Sequence, residues 1–120
     1  MKSKIAAFIM AGAVLTTVIV NTFILLYNID AIIGKLEEAP DDISAISEYS
    51  EIFDDFKRRE RFLSLTVSHN DLSEITYSFA ELIAAAEAED EESFIITKSR
   101  LTESLLYLRR LCMISLDSIF

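Results

Sequence analysis

Ile5-Ala6-Ala7-Phe8-Ile9-Met10-Ala11-Gly12-Ala13-Val14-Leu15-Thr16-Thr17-Val18-Ile19-Val20-Asn21-Thr22-Phe23-Ile24-Leu25-Leu26-Tyr27 is a run of 23 residues without a charged side chain. Only Met1-Lys2-Ser3-Lys4 precedes it. As a helix rising about 1.5 Å per residue it reaches roughly 35 Å, enough to cross a hydrocarbon core of about 30 Å. The rival is a secretory signal, whose apolar region spans only about 7–15 residues and ends at a small-x-small cleavage site. Ile24-Leu25-Leu26-Tyr27-Asn28 supplies no such site, and no cysteine stands near the end of the run to take a lipid. The run therefore predicts an uncleaved transmembrane helix over 5–27.

Charge orients it. Lys2 and Lys4 lie before the span, and Asp30 is the first charge after it. The positive-inside rule then keeps residues 1–4 as a cytoplasmic stub and sends the rest outside, with Tyr27 at the interface. The expected location is the cell membrane, single-pass. Within the span, Gly12 and Thr16 form a small-x-x-x-small pair, as do Ala7 and Ala11, and Asn21-Thr22 is a polar pair in apolar surroundings. Gly12, Thr16 and Asn21 are the candidate helix–helix contact, by close backbone approach and an interhelical hydrogen bond. Ordinary lipid-facing small residues are the alternative.

With Lys2 and Lys4 set aside, the rest of the chain holds nine basic residues and all twenty acidic ones, a net −11. That balance argues against nucleic-acid binding, which needs a basic footprint. It also argues against spreading over an anionic membrane. A single cysteine, Cys112, excludes an intramolecular disulfide, so the domain must be held by its core. Past the span the only glycine and proline are Gly34 and Pro40. This excludes a loop-rich all-β domain and points to long helices.

Ile29, Ile32, Ile33 and Leu36 continue one helical face past the membrane, so residues 28–39 read as a juxtamembrane helical extension, ended by Ala39-Pro40-Asp41-Asp42. Asp41 is the expected cap of the next helix, with Asp42 beside its positive end. That helix repeats Ile46, Tyr49, Phe53, Phe56, Glu60, Leu63 and Val67 at spacings of three and four, with Ile52 and Phe62 broadening the stripe and Glu60 peripheral. Ser68 with Asp71, or Asp71 with Glu74, then opens a third helix carrying Leu72, Ile75, Phe79, Leu82 and Ala86. A turn near Glu89–Glu92 leads to a fourth, with Phe94, Leu101, Leu105, Leu108, Cys112 and Leu116 on one face. The expected fold is all-α: an N-terminal transmembrane helix followed, over 41–120, by an antiparallel three-helix bundle, or a four-helix one if the juxtamembrane extension contributes.

Chemistry-bearing groups are sparse. The one histidine, His69, stands at a helix start, where local hydrogen bonding is the plain reading and a pH sensor the sharper one. The tract Glu87-Ala88-Glu89-Asp90-Glu91-Glu92 lacks the alternating oxygens and glycine of a calcium loop. Lys57, Arg58, Arg59 and Arg61 make the one basic cluster, which with His69 is the candidate partner-facing set, meeting lipid headgroups or an acidic partner. Asp54 and Asp55, four residues earlier, offer intrahelical pairing instead. Cys112 falls on an apolar face and reads as a small buried residue, with an intermolecular disulfide as the alternative. No catalytic set, metal site or cofactor site is legible.

The Met1–Tyr27 anchor, the segment His69-Asn70-Asp71-Leu72 and the stretch Ile114-Ser115-Leu116-Asp117-Ser118-Ile119-Phe120 together resemble a family of short bacterial single-pass proteins with a domain of unknown function, best represented in Gram-positive spore formers. Many of its members carry a tryptophan in the second helix. This chain has none, and Phe53, Phe56 or Phe62 would fill the place. The resemblance implies an anchored helical domain and no catalytic residues. The functional expectation is a non-enzymatic, extracytoplasmic interaction module, an accessory subunit of a membrane or envelope protein or a homo-oligomer. A small-molecule-binding sensor bundle acting through a separate partner is the alternative.

Overall fold

A computed structural model describes residues 2–63 and 67–119; Met1 and Phe120 of the sequence motifs above lie outside the described residues. The described chain is helical, with no strand: α1 (Lys2–Glu38), a single 3-10 turn (Ile43–Ala45), α2 (Ile46–Leu63), α3 (His69–Glu87) and α4 (Glu91–Ile119). The molecule is a rod with extents of 69 × 23 × 23 Å.

α1 is one unbroken helix of 37 residues, and it is the one helix among the described residues long and apolar enough to cross a membrane. Its two halves have different surroundings. Residues 2–18 are exposed, whereas Thr22, Leu25, Leu26, Ile29, Ile32, Ile33 and Leu36 are buried against other helices. The stretch expected as a juxtamembrane extension is thus a core helix, with Ile32 and Leu36 fully buried. The burial starts at Thr22, inside the apolar run.

α3 packs on α4, α4 on α1, α1 on α2 and α2 on α3. Pairings between α1 and α2 run in opposite numerical order: Asn28 meets Arg59, and Lys35 meets Asp55. Between α1 and α4, Asp30 meets Arg109, whereas Lys98 reaches Ala39 and Asp41 beyond the end of α1. The core is aromatic at its centre. Phe79 stacks on Phe53 and lies tilted against Phe56, with ring centroids 5.2 and 5.3 Å apart. Tyr49 meets Phe94 edge-on at 5.2 Å. All the apolar positions expected on α3 and α4 are buried, Cys112 among them. On α2 the stripe holds from Ile46 to Leu63; the helix ends there, so Val67, expected on the same stripe, lies beyond it. Phe62 is 53% exposed, because Leu63 instead of Phe62 turns inward at the end of the helix.

The turns follow from local chemistry. Pro40 cannot extend α1. Tyr49 Oη donates to the Pro40 carbonyl at 2.7 Å, and Lys98 Nζ donates to the Ala39 carbonyl at 3.1 Å and pairs with Asp41. The residue that caps is Asp42, not Asp41: its carboxylate accepts from Ser44 N at 3.2 Å, opening the 3-10 turn. Asp41 is drawn away to the Lys98 ammonium. Ser68 caps α3, its hydroxyl accepting from Asp71 N at 3.2 Å. Between α3 and α4, Glu89 takes the left-handed conformation (φ 56°), letting Glu89 N and Asp90 N bond the carbonyls of Ala86 and Ala85. Asp90 then accepts from Ser93 N and Oγ, and Glu91 and Glu92 occupy the first turn of α4.

Candidate interaction site

The membrane-run residues singled out by sequence do not form one face. Nine residues separate Gly12 from Asn21, a rotation of about 180° around the helix. Gly12 and Thr16 lie together, but the Thr16 hydroxyl already donates to the Gly12 carbonyl at 2.8 Å, as Thr17 does to Ala13 and Thr22 to Val18. These hydroxyls therefore meet their needs within α1. A Cβ added at Gly12 would meet nothing within 4 Å. Asn21 is different. It is exposed, and its amide has no hydrogen-bond partner among the described residues. The other polar member of the pair, Thr22, points into the bundle and is buried.

Asn28, one helical heptad beyond Asn21 and so on the same side of α1, shows what that side does higher up. Its Nδ2 donates to the Ile24 carbonyl at 2.8 Å, and its Oδ1 accepts from Arg59 of α2 at 2.8 Å. Arg59 Nε also donates to Asp55 at 3.0 Å, and Lys35 Nζ donates to the same Asp55 oxygen at 2.6 Å. Arg58 approaches the other oxygen at 3.6 Å. Burial would raise the Asp55 carboxyl pKa. The hydrogen bonds from Lys35 and Arg59 outweigh it and hold the group below its ordinary value. Pairing thus converges on Asp55, and Asp54 is left lining an open cleft of about 700 Å³ with Lys35, Glu48, Glu51 and Arg58.

The remaining members of the basic cluster are placed as follows. Lys57 Nζ sits 4.4 Å from the Phe53 ring centroid, and Arg61 lies in the last turn of α2. His69 is the exposed first residue of α3. The sequence missed Asp55 as a buried group and Asn28 as its neighbour. The available signal was polar residues at heptad spacing, Asn28 and Lys35, along the edge of the α1 stripe.

Lys57, Arg58, Arg59 and Arg61 close α2 at the level of Asn28, and Arg109 and Arg110 stand on α4 at the level of Asp30. The α1–α2 turn, with Glu37, Glu38, Asp41 and Asp42, lies toward the opposite end. The six basic residues at the Asn28 end stand among Asp30, Glu60 and Asp71, so the charge is unevenly spread along the helices. Among the described residues no group of three or more His, Cys, Asp or Glu converges as a metal site.

No protein-family model matches the chain, and neither the curated proteins nor the solved structures contain a match to it.

Proposed function

We propose that the chain is a single-pass membrane protein whose extracytoplasmic part is an antiparallel four-helix bundle fused to its anchor without a joint, and that it acts as a non-enzymatic interaction module. It would bind an integral membrane protein through the Asn21 side of α1. The single observation carrying this is the Asn21 amide: an exposed, unpartnered carboxamide within the charge-free apolar run 5–27 of α1. At the membrane end of the bundle a hydrogen bond from another helix would satisfy such a group, worth about 1 kcal/mol. The opposite-order pairings of α1 with α2 and α4 support the antiparallel arrangement. An unbroken α1 would transmit any tilt or rotation of the anchor to the core directly.

In-cell crosslinking of the full-length protein, followed by detergent extraction, affinity capture and mass spectrometry, tests the reading. One enriched membrane protein is the expected result, lost when Asn21 is replaced by Leu. Capture of the chain alone, still dependent on Asn21, would make it a homo-oligomer. Capture unaffected by Asn21→Leu would refute the assigned face.

A further inference from the structure

The bundle overlaps the apolar run. Thr22, Leu25 and Leu26 are buried by the bundle, so the part of the run that projects free is residues 5–21. As a helix that free part is about 25 Å long, short of a hydrocarbon core of about 30 Å. The neighbours alongside α1 at that depth are the end of α4 and the start of α3: Leu108, Leu111, Cys112 and Ser115 line one small cavity of about 160 Å³ with Thr22 and Leu25 and with Val67, Ser68 and Asp71.

We infer that the last two turns of α4, from Leu111 onward, sit in the outer-leaflet headgroup–acyl boundary beside α1, so that the bundle is seated in the bilayer rather than standing above it. This rests on α1 spanning the membrane. Three observations carry it beyond that. First, large apolar residues face outward at this level on both helices, Phe23, Ile24 and Tyr27 on α1 and Leu111, Met113 and Ile114 on α4, with Ser115 and Ser118 exposed among them. They are continuous with the exposed apolar surface of residues 5–20. Second, from Leu111 to Ser118 the only charged residue is Asp117, which is exposed. An exposed carboxylate fits the boundary, where it reaches water, and not the hydrocarbon centre. Third, the belt immediately above holds a cluster of basic residues interleaved with Asp30, Asp55 and Glu60. Arg109, 2.7 Å from Asp30, stands with Arg110, Lys57 and Arg58 at the height where phosphates would lie. Their long stems can follow apolar surface while the heads meet anionic lipid. The occupant of this collar is lipid.

The chain contains no tryptophan, so single replacements report depth directly. Full-length variants Val14→Trp, Ile114→Trp and Ile95→Trp are reconstituted in phosphatidylethanolamine–phosphatidylglycerol vesicles carrying lipids brominated near the headgroup or deep in the acyl chain. Ile95 lies in the first turns of α4, far from the anchor. Val14→Trp should be quenched by deep bromine, which verifies the span itself. Ile114→Trp should lose most of its emission to shallow bromine and resist aqueous iodide, whereas Ile95→Trp should show the reverse. Ile114 is 57% exposed, so the larger ring displaces little, and Met113→Trp serves if circular dichroism shows Ile114→Trp misfolded. Val14 quenched but Ile114 open to iodide and blind to bromine would overturn the inference while leaving the anchor intact. Ile114 shielded from both quenchers would overturn it in favour of a protein covering, a second copy or the partner. Val14 unquenched would remove the anchor and this inference with it.

Discussion

Arg59 of α2 donates to Asn28 of α1 at 2.8 Å while its Nε holds Asp55 at 3.0 Å. One guanidinium thus locks α1 to α2. The lock sits within two turns of Thr22, where α1 passes from free surface to core. A joint placed there would uncouple anchor and domain, and this network removes it.

Asp55 is the hinge of that lock. Asp55→Ala leaves Arg59, whose side chain is 22% exposed, and Lys35 without their shared carboxylate. Removing one partner of a buried pair costs about 3–5 kcal/mol, and partial exposure here trims the expectation to about 2–3 kcal/mol. Urea unfolding of the full-length protein in detergent should show a midpoint loss of that size.

Acid should act through the same group. Asp55 has a carboxyl pKa lowered on folding, so its contribution is complete above the unfolded value near 3.8 and fades as pH falls through the lower folded value. Asp42 and Asp90, lowered by hydrogen bonds from Ser44 and Ser93 respectively, act in the same direction. Unfolding midpoints followed downward from pH 5 should fall, and Asp55→Asn should make the fall shallower. An unchanged slope in Asp55→Asn would contradict the assignment.

The aromatic centre should be the most sensitive part of the core. Phe79 is fully buried and touches the rings of Phe53 and Phe56. Phe79→Ala should cost about 3–5 kcal/mol, read as loss of cooperative thermal unfolding. Tyr77→Ala, one turn-edge away and exposed, should stay within about 0.5 kcal/mol of the parent.

The turn between α3 and α4 carries removable strain. Glu89 adopts φ 56°, a conformation that costs a side-chain-bearing residue about 1 kcal/mol and glycine nothing. Glu89→Gly should therefore stabilise the protein by up to about 1 kcal/mol, measured by the same unfolding midpoint. A destabilised variant would show that the Glu89 side chain contributes more than its backbone costs.

The extent of the folding unit follows from α1. A fragment comprising 41–120 lacks Leu25, Leu26, Ile29, Ile32, Ile33, Leu36 and Ala39, seven core side chains. It should be soluble only as an expanded, non-cooperative helical state, whereas a fragment beginning at Asn21 should unfold cooperatively. Circular dichroism melts of the two fragments distinguish them.

Much of this was legible in the sequence, because burial on a helix leaves a period. Leu72, Ile75, Phe79, Leu82 and Ala86, and the α4 series from Phe94 to Leu116, read directly as inward faces. The boundary between anchor and bundle did not. Lipid and protein core ask for the same apolar side chains, so Leu25 and Leu26 look alike in either setting. Asp55 was illegible for the converse reason: a carboxylate next to three arginines reads as a solvated surface pair, and only the arrival of α1 with Asn28 and Lys35 makes it an interior group. The choice of Asp42 over Asp41 as cap depended on Lys98, which lies 57 residues from Asp41. The separation of Gly12 from Asn21 was in the helical period itself and needed only the rotation to be counted.

The most direct measurement is the side of the membrane on which each end lies. Ser3→Cys and Ser99→Cys, which leave the orienting Lys2 and Lys4 in place, are made singly with Cys112→Ser, and each full-length protein is labelled in spheroplasts with a membrane-impermeant maleimide. Ser99 is exposed on α4, well away from the apolar half of α1. Labelling of Ser99→Cys in intact spheroplasts, with Ser3→Cys labelled only after permeabilisation, is the expected result for a spanning α1 and an extracytoplasmic bundle. Labelling of both without permeabilisation, or of Ser3→Cys alone, would contradict it.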